Sequence, residues 1–251
     1  MTSRCIKAAW PAPANVLAFT TTRAGGFSAP PYASFNLADH VGDDHRAVTA
    51  NRASLARELP AATRVQWLSQ EHGSAVVQAG PGELCPVADA SWSREPGRAC
   101  AVLTADCLPV LLWSRAGDVV AAAHAGWRGL LAGVLENTVA AMGAAPGQVL
   151  AWLGPAIGPG AFEVGAEVRS AYLDAAADQA GTDACFVPNQ ARPGHFFADL
   201  YSLARLRLQG AGVERVAGGD FCTFSDSGRF YSYRRDGETG RMASIILLDS
   251  R

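Results

Sequence analysis

The chain has 251 residues, of which 49% are hydrophobic and 18% are charged, a composition that excludes a disordered protein and predicts a folded globular one. Its net charge of −2 excludes the strongly positive surface with which proteins attract nucleic acid or anionic membranes. No stretch of about 18 apolar residues is free of charge, so we expect no membrane-spanning helix.

The cysteines point to a reducing compartment. Six cysteines are scattered along the chain without a CxxC pair, which is too sparse for a disulfide scaffold. Residues 1–15 lack the apolar run of a secretory signal peptide. We therefore expect a cytoplasmic protein, in which a lone cysteine binds metal, reacts with substrate or is simply buried.

The first part of the chain alternates between strand and helix patterns. Strands are predicted at 15–22, 65–70 and 75–80, and a helix at 45–59. A loop rich in glycine and proline follows the first strand, and ordered loops of such length often carry function. The last two strands flank His72.

The middle of the chain is its most apolar part. Residues 100–113 have the composition of a strand buried on both faces, although Asp106 and Cys107 interrupt it and Pro109 predicts a bend or irregularity there. Residues 118–126 indicate the next strand. Residues 127–143 indicate one amphipathic helix that ends at a glycine.

The remaining predicted elements are short strands and two helices. The strands lie at 148–153, 214–220, 229–235 and 242–249, and the helices at 162–178 and 199–212. The strands outnumber the helices, and no repeat, low-complexity tract or linker divides the chain. We therefore predict a single domain over residues 1–251 of the α/β (α+β) class, an αβ sandwich with a mixed β-sheet core and flanking helices.

Three residues form a candidate metal site. His72, Cys107 and His124 each lie among small residues at the end of an apolar segment, and strand ends collect at one rim of a sheet. One thiolate and two imidazoles leave a tetrahedral zinc one ligand short, which is the arrangement of a catalytic site rather than a structural one. Copper is an alternative occupant, because it binds such donors with high affinity.

Other interpretations fit the same residues. Cys107 can serve as a nucleophile with His124 as its base, and Asp106 or His72 can then orient the imidazole, as in a hydrolase of small amides. Each residue can also be an ordinary buried side chain. A multicopper oxidase is excluded, because it needs His-X-His pairs and more imidazoles than the five histidines of this chain provide.

Two segments that contain arginine are candidate anion sites. Arg23 lies in a loop with two glycines, whose backbone N–H groups can bind an anion beside the guanidinium. Residues 221–244 hold Arg234, Arg235 and Arg241 among aromatic residues and turns, where they can stack on rings or bind an anion. Either segment can instead be a solvated surface turn.

Several blocks of the sequence resemble one known family. They are TTRAGGFS, FNLADHVGDD, QEHGSAVV, LTADCLPVLL, AAAHAGWRGL, GPAIGPGAFEVG and CTFSDSGRFYSYRRDGETGRMAS. These blocks cover nearly the whole chain and are similar to those of the YfiH-like proteins, also called laccase-domain or polyphenol-oxidase-like proteins. ADC, HAGWRG and YRRDGETGRMA are the most specific of the matches.

The resemblance implies a fold, a metal and an activity. It implies one αβ domain in which His72, Cys107 and His124 hold zinc. It also implies phosphorolysis of purine nucleosides (adenosine, inosine, guanosine and methylthioadenosine) with adenosine deamination as a side activity. The expected partners are a purine nucleoside and phosphate. Many relatives carry Cys-Cys where this chain has Gly160-Ala161, so that pair cannot be required for zinc here.

The same resemblance suggests roles for further residues. The three metal ligands are the expected catalytic centre, with Arg23 and Arg235 as candidates for binding substrate or phosphate. Deamination also needs a proton shuttle, for which Asp106 and Glu71 are candidates because each adjoins a ligand. A zinc or Cys–His amidohydrolase and a metal-binding protein without catalytic activity are the alternatives.

Overall fold

The computed structural model describes residues 4–81 and 85–249. Its strands are β1 (Cys5–Lys7), β2 (Val16–Thr21), β3 (Arg64–Gln66), β4 (Val76–Gln78), β5 (Ala90–Ser93), β6 (Arg98–Thr104), β7 (Leu108–Ser114), β8 (Val120–Ala125), β9 (Val149–Leu153), β10 (Glu163–Gly165), β11 (Phe186–Pro188), β12 (His195–Ala198), β13 (Arg215–Gly218) and β14 (Met242–Leu248). Its helices are α1 (His45–Ala56), α2 (Trp127–Leu131), α3 (Val134–Met142), α4 (Ala166–Asp174), α5 (Gln179–Asp183), α6 (Leu200–Gly210) and α7 (Tyr233–Asp236).

Two large sheets and one small sheet form the framework. The first large sheet has five strands in the order β1-β2-β14-β6-β3, and only its β3–β6 pair is parallel. The second has six strands in the order β13-β9-β7-β8-β5-β4, and its two outermost pairs are parallel. The small sheet, β10-β12-β11, is antiparallel.

The two large sheets pack face to face because their strands place apolar side chains on both faces. From β14, Ile246 points into the layer between the sheets, where it joins Trp113 and Trp152 of the six-stranded sheet. The preceding residue, Ile245, points to the opposite face of the strand and packs in a cluster with Leu55 of α1. This two-residue alternation is the geometric property of a strand, and it gives each strand two buried faces.

Helices cover the outer face of the six-stranded sheet. Val110 of β7 and Ala121 of β8 belong to one buried cluster with Leu130 of α2, Val139 of α3 and Leu208 of α6. The layers are therefore α1 with its loops, the five-stranded sheet, the six-stranded sheet, and then α2, α3 and α6. The predicted αβ sandwich with mixed sheets and flanking helices is confirmed, although its core contains two large sheets instead of one.

The apolar segment 100–113 differs from its prediction in a way that matters for the site. It forms two strands, β6 and β7, which belong to different sheets. The chain passes from one sheet to the other at Asp106 and Cys107, and Asp106 has a left-handed φ of 87°. Since a strand cannot continue through that conformation, the predicted bend is a complete change of sheet.

Three predicted elements require correction. The single helix at 127–143 is two helices, because Gly133 between them has a φ of 91°, while Gly143 ends the second as predicted. The helix at 162–178 begins only at Ala166, after the short strand β10. The strand at 229–235 is wrong, because the Ser232 side chain accepts a hydrogen bond from the Arg235 N–H and caps α7. Among the described helices, none has the length and apolar character needed to cross a bilayer.

Candidate metal centre

Two connections and the end of one strand meet at the candidate metal centre. His72 lies between β3 and β4, Cys107 lies in the turn from β6 to β7, and His124 lies near the end of β8. One nitrogen or sulfur atom of each residue lies within 4.8 Å of the other two. The two imidazole rings meet edge to face, with centroids 4.8 Å apart. Residues that are distant in the sequence are thus within reach of one cation.

Cys107 is positioned by the change of sheet. The preceding Asp106 is almost buried, and its carboxylate accepts hydrogen bonds from the Thr223 hydroxyl at 2.6 Å and from the Arg234 N–H at 2.7 Å. The Asp106 carbonyl also accepts the Ile157 N–H at 2.9 Å. These bonds hold the left-handed turn in place, and the turn directs Cys107 toward the histidines.

His124 is the buried ligand of the three, with 2% of its surface exposed. It lies opposite Pro109 in the β7–β8 ladder, next to the Cys107 turn. Its Nδ1 lies 2.7 Å from Oδ1 of Asp89. Because an ionised carboxylate can only accept hydrogen bonds, Nδ1 carries the proton, and Nε2 is the nitrogen that remains to bind a metal ion.

Asp89 immediately precedes β5 and also holds the His72 loop. Its carboxylate accepts the backbone N–H of His72 at 2.9 Å and of Gly73 at 2.7 Å, and that of Glu71 at 3.3 Å. The His72 loop needs such support because His72 has a left-handed φ of 61°. The sequence pattern did not single out Asp89, since it stands in no recognisable motif and its partners come from distant segments.

A second side chain, Gln70, fixes the other end of the His72 loop. Its amide oxygen accepts the Leu103 N–H at 2.7 Å, and its amide nitrogen donates to the Leu103 carbonyl at 2.9 Å. These two hydrogen bonds resemble the backbone pairing of neighbouring strands, and they join the loop to β6. His72 is therefore restrained on both sides although it is exposed.

The glycines of the HAGWRG segment leave room for the ligands. A Cβ atom on Gly126 would lie 3.0 Å from Sγ of Cys107 and 3.1 Å from Cδ2 of His72. A Cβ atom on Gly129 would lie 2.7 Å from the Gly73 carbonyl oxygen. The first turn of α2 can thus pack directly on the metal centre only because both positions lack a side chain.

Electrostatics at the centre favour a charged pair when no cation is bound. Burial alone would raise the pKa of the Cys107 thiol, but His124 and His72 outweigh it and lower that pKa to about 6. Burial alone would lower the pKa of His124, whereas Cys107 and Asp89 raise it to about 9. A thiolate beside an imidazolium follows, and a divalent cation can replace the imidazolium proton.

The donor set fits a single metal ion. A sulfur and two imidazole nitrogens are donors that zinc and copper both accept, and zinc bonds of about 2.0–2.3 Å place neighbouring ligand atoms at separations of this order. The centre opens into a cavity of about 400 Å³. Besides the three ligands, its walls include His40, Gln70, Thr104, Tyr233 and Arg241. The three candidate ligands therefore face a space that could admit a small molecule.

The two arginines predicted to bind phosphate have other partners. Arg23 donates from Nε to the Ala33 carbonyl and from Nη1 to the Ser227 carbonyl, and its guanidinium lies over the Tyr231 ring. Neither Arg23 nor Arg235 is among the described residues that line the cavity.

The Arg235 guanidinium is still more fully engaged. It donates to both carboxylate oxygens of Asp236 and to the carbonyls of Thr223, Phe224 and Phe230. These five contacts use the five N–H donors of an arginine. Arg235 therefore holds the segment around α7 together.

Arg241 is the arginine that reaches the cavity. Its Nη1 donates to the carbonyls of Thr239 and Gly240, and its guanidinium lies 5.9 Å from the centre of the Tyr233 ring. Within the described part of the chain, its Nε and Nη2 have no hydrogen-bond partner. The sequence placed Arg241 in a segment rich in arginine, but only its packing distinguishes it from Arg235.

The two proton-shuttle candidates lie in different surroundings. Both carboxylate oxygens of Asp106 already accept short hydrogen bonds from Thr223 and Arg234. Glu71 is exposed and lies beside His72, in the loop that Asp89 supports. The structure thus gives Asp106 a structural connection and leaves Glu71 accessible to solvent, and neither is among the described residues that line the cavity.

Comparison with known proteins places this chain in a family. A family model described as "Multi-copper polyphenol oxidoreductase laccase" matches residues 17–249. Purine nucleoside phosphorylase PA4543 of Pseudomonas aeruginosa is 56% identical over 239 residues, which cover 95% of this chain and 96% of that protein. The chain belongs to the YfiH-like family of laccase-domain proteins. Purine nucleoside phosphorylase YfiH of Escherichia coli is 51% identical over 249 residues, with 98% and 99% coverage.

Two solved structures share the fold over nearly the whole length of both chains. Neisseria meningitidis protein NMB0706 matches with a TM-score of 0.93 and 49% identity, covering 99% of this chain and 100% of that one. YlmD from Geobacillus stearothermophilus matches with a TM-score of 0.90 and 30% identity, covering 100% and 98%. The resemblance inferred from the sequence blocks is therefore confirmed.

Proposed function

We propose that the protein is a zinc-dependent purine nucleoside phosphorylase with adenosine deamination as a side activity. The observation that carries the proposal is a three-donor metal centre that opens into a cavity lined by a cation, Arg241, and an aromatic ring, Tyr233. Relatives that are about half identical in sequence are named purine nucleoside phosphorylases, which supports the same activity. Adenosine, inosine, guanosine and methylthioadenosine are the proposed substrates.

Phosphorolysis makes three demands on the cavity. A phosphate oxygen forms a bond to the anomeric carbon of the ribose, the bond from that carbon to the purine nitrogen breaks, and the purine leaves with a proton. The products are ribose 1-phosphate and the free base. The nucleophile must therefore be held in line, the purine must be bound, and negative charge must be compensated. A metal ion in the centre supplies Lewis acidity toward an oxygen of the substrate.

Arg241 is the residue that we assign to phosphate. Its Nε and Nη2 are free for an anion among the described contacts, and two adjacent donors suit bidentate binding of phosphate. Arg23 and Arg235 remain candidates from the sequence alone, but their guanidinium groups bind backbone carbonyls and, for Arg235, Asp236. We expect those two arginines to hold neighbouring backbone segments in place and not to contact the phosphate.

Tyr233 is the group that we assign to the purine. Its side chain lines the cavity and is 62% exposed, so a flat base can stack on its ring. Arg241 lies beneath this ring. A base on Tyr233 and a phosphate on Arg241 would place the ribose between them and near the metal centre.

Deamination requires a different reaction in the same cavity. Water attacks C6 of adenosine, the C6–N bond breaks, and inosine and ammonia leave, so a proton must be delivered to the amino group. Glu71 is our candidate for this proton transfer, because the carboxylate of Asp106 already accepts two hydrogen bonds. Because both oxygens of Asp106 hold the turn at Cys107 in place, protonation of Asp106 would weaken those hydrogen bonds.

Zinc is the proposed resident metal and copper an alternative occupant. Three nitrogen and sulfur donors with one open position suit a catalytic zinc. Copper can occupy the same donors by affinity. The three residues form one mononuclear centre, whereas a multicopper oxidase needs several centres and many more than five histidines. We therefore do not assign oxidase activity.

One observation favours a second candidate function. Asp89, His124 and Cys107 form a chain in which the carboxylate binds Nδ1 of the imidazole and the imidazole faces the thiol. That is the arrangement of a nucleophile, a base and an orienting acid, which would suit a Cys–His amidohydrolase acting on a small amide. Such an enzyme would be active without metal, and metal would inhibit it by occupying the thiolate.

The decisive experiment measures products with and without phosphate. Protein loaded with one equivalent of zinc is incubated with adenosine, and adenine, ribose 1-phosphate and inosine are followed by chromatography. We expect adenine and ribose 1-phosphate in equal amounts only when phosphate is present, and inosine independently of it. If the loaded protein releases neither adenine nor inosine, the proposed function is wrong. Faster turnover of an amide after chelation would favour the hydrolase.

The role of Arg241 is tested by removing its charge. Arg241→Gln should raise KM for phosphate about tenfold or more, because a hydrogen bond to a charged group contributes about 1.5–3 kcal/mol, while zinc content stays unchanged. Arg192→Gln is the matched control, since Arg192 is exposed and pairs with Glu163 outside the cavity. An unchanged KM for phosphate in Arg241→Gln would refute the assignment.

A further inference from the structure

We propose that Asp89 is the positioning residue of the metal centre, whose single buried carboxylate orients both histidine ligands. The inference rests on the proposed metal centre and concerns how the protein builds it. Asp89 is 1% exposed and does not belong to the described lining of the cavity. It therefore acts through the ligands and not on a substrate.

The carboxylate of Asp89 is saturated by four donors that belong to the ligands or their neighbours. Oδ1 lies 2.7 Å from Nδ1 of His124 and 2.9 Å from the backbone nitrogen of His72. Oδ2 lies 2.7 Å from the backbone nitrogen of Gly73 and 3.3 Å from that of Glu71. A carboxylate offers about four acceptor sites, so one side chain links a histidine in a loop with a histidine in strand β8.

For His124, the contact determines which nitrogen can bind a metal. Asp89 accepts the Nδ1 proton, so Nε2 has the free lone pair. The same hydrogen bond sets the rotation of the ring and makes Nε2 a stronger donor. The Asp89 backbone carbonyl accepts the His124 N–H at 2.7 Å, so side chain and main chain are held by the same residue.

For His72, the contact stabilises a costly backbone conformation. A left-handed φ is unfavourable for a residue other than glycine, because its Cβ atom comes too close to the following carbonyl oxygen, and His72 has a φ of 61°. Three successive N–H groups, those of residues 71–73, converge on the Asp89 carboxylate. Without that anion the loop would relax, and the exposed His72 ring would lose its position beside His124.

The proposal is tested by measuring metal affinity in Asp89→Asn. Asparagine has nearly the same shape, but it offers one acceptor oxygen, and its NH2 group would face N–H donors. We expect zinc affinity about 10–100-fold weaker than in the unmodified protein, determined by competition with a chromophoric chelator. Cobalt substitution should retain a sulfur-to-metal charge-transfer band, because Cys107 is not held by Asp89, while the ligand-field bands shift.

The matched control is Asp199→Asn. Asp199 also accepts backbone N–H groups, those of Tyr201 and Ser202 at the start of α6, and it contacts no metal ligand. We expect its zinc affinity to equal that of the unmodified protein. If Asp89→Asn remains folded and binds zinc as tightly as Asp199→Asn does, the positioning role of Asp89 is refuted.

A measurement on the unmodified protein tests the positioning role of Asp89 even if Asp89→Asn does not fold. Long-range 15N–1H spectra of protein labelled with 15N-histidine distinguish the two imidazole tautomers. We expect the zinc-loaded His124 ring to carry its proton on Nδ1. A proton on Nε2 would refute the proposal. Neither readout involves a nucleoside, so a failure of phosphorylase activity and a failure of this inference are distinguishable.

Discussion

At the scale of single residues, the metal centre depends on a glycine, Gly126, as well as on its three candidate ligands. Gly126 follows the strand that carries His124, and a Cβ atom added to it would meet both other ligands, while its φ of −62° is one that alanine also adopts. A substitution by alanine there would therefore act through contact alone. The distances of 3.0 and 3.1 Å from the added Cβ to Cys107 and His72 are shorter than ordinary carbon contacts.

We expect Gly126→Ala to weaken zinc binding about tenfold or more, because the thiolate and the imidazole must move away from the methyl group. The measurement is chelator competition, with the melting temperature of the metal-free protein as a check on folding. Gly160→Ala is the matched control, since no described atom lies within 4 Å of its added Cβ. Equal zinc affinities in the two variants would contradict the expectation.

At the scale of elements, the turn between β6 and β7 is tied to the C-terminal segment that carries the cavity wall. Asp106 binds the Thr223 hydroxyl and the Arg234 N–H, the latter in the first turn of α7. Tyr233 lies in the same turn of the helix. The residue beside Cys107 thus sets the position of the ring that we assign to the purine.

Removing the Thr223 hydroxyl should loosen that connection. Thr223→Val leaves a buried carboxylate oxygen without a partner, which should lower the free energy of unfolding by about 1–3 kcal/mol. We also expect faster amide exchange in residues 230–236, measured by mass spectrometry.

The control for this prediction is Thr138→Val. Thr138 is equally buried, but its hydroxyl donates to the Val134 carbonyl of its own helix, a bond that contributes little to stability. We expect a small change in unfolding free energy and unchanged exchange in 230–236. If both variants lose the same stability and neither exchanges faster, Asp106 and Thr223 do not couple these elements.

At the scale of the whole molecule, the metal centre joins connections that belong to both large sheets. Cys107 lies where the chain leaves one sheet for the other, and His124 lies in the six-stranded sheet. His72 follows β3 of the five-stranded sheet. A bound metal therefore stabilises the arrangement of the sheets relative to each other.

We expect saturating zinc to raise the melting temperature. Free zinc at about 100 times its dissociation constant contributes about 2.7 kcal/mol, or about 5–10 °C for a chain of this size. Calorimetry with zinc and with chelator measures the shift, and Cys107→Ala should lose most of it. The same shift in Cys107→Ala would show that zinc binds elsewhere.

Much of the architecture follows from local patterns. The strands β2, β8, β9 and β14 and the helices α1 and α6 lie where apolar periodicity predicts them. Breaks within a predicted helix or strand are harder to predict. Gly133 divides one predicted helix, and Asp106 sends one predicted strand into two sheets. Each break depends on what the two halves pack against, and local periodicity carries no information about that.

The three donors of the metal centre could be proposed from the sequence because cysteine and histidine are common metal ligands. The sequence shows these residue types directly, whatever the fold. Asp89 could not be proposed, since a carboxylate becomes a positioning group only when a fold brings four N–H donors to it. The choice of Arg241 over Arg235 has the same origin. Both carry the same charge in the same segment, but contacts within the described residues occupy all the N–H donors of Arg235 and leave Nε and Nη2 of Arg241 free.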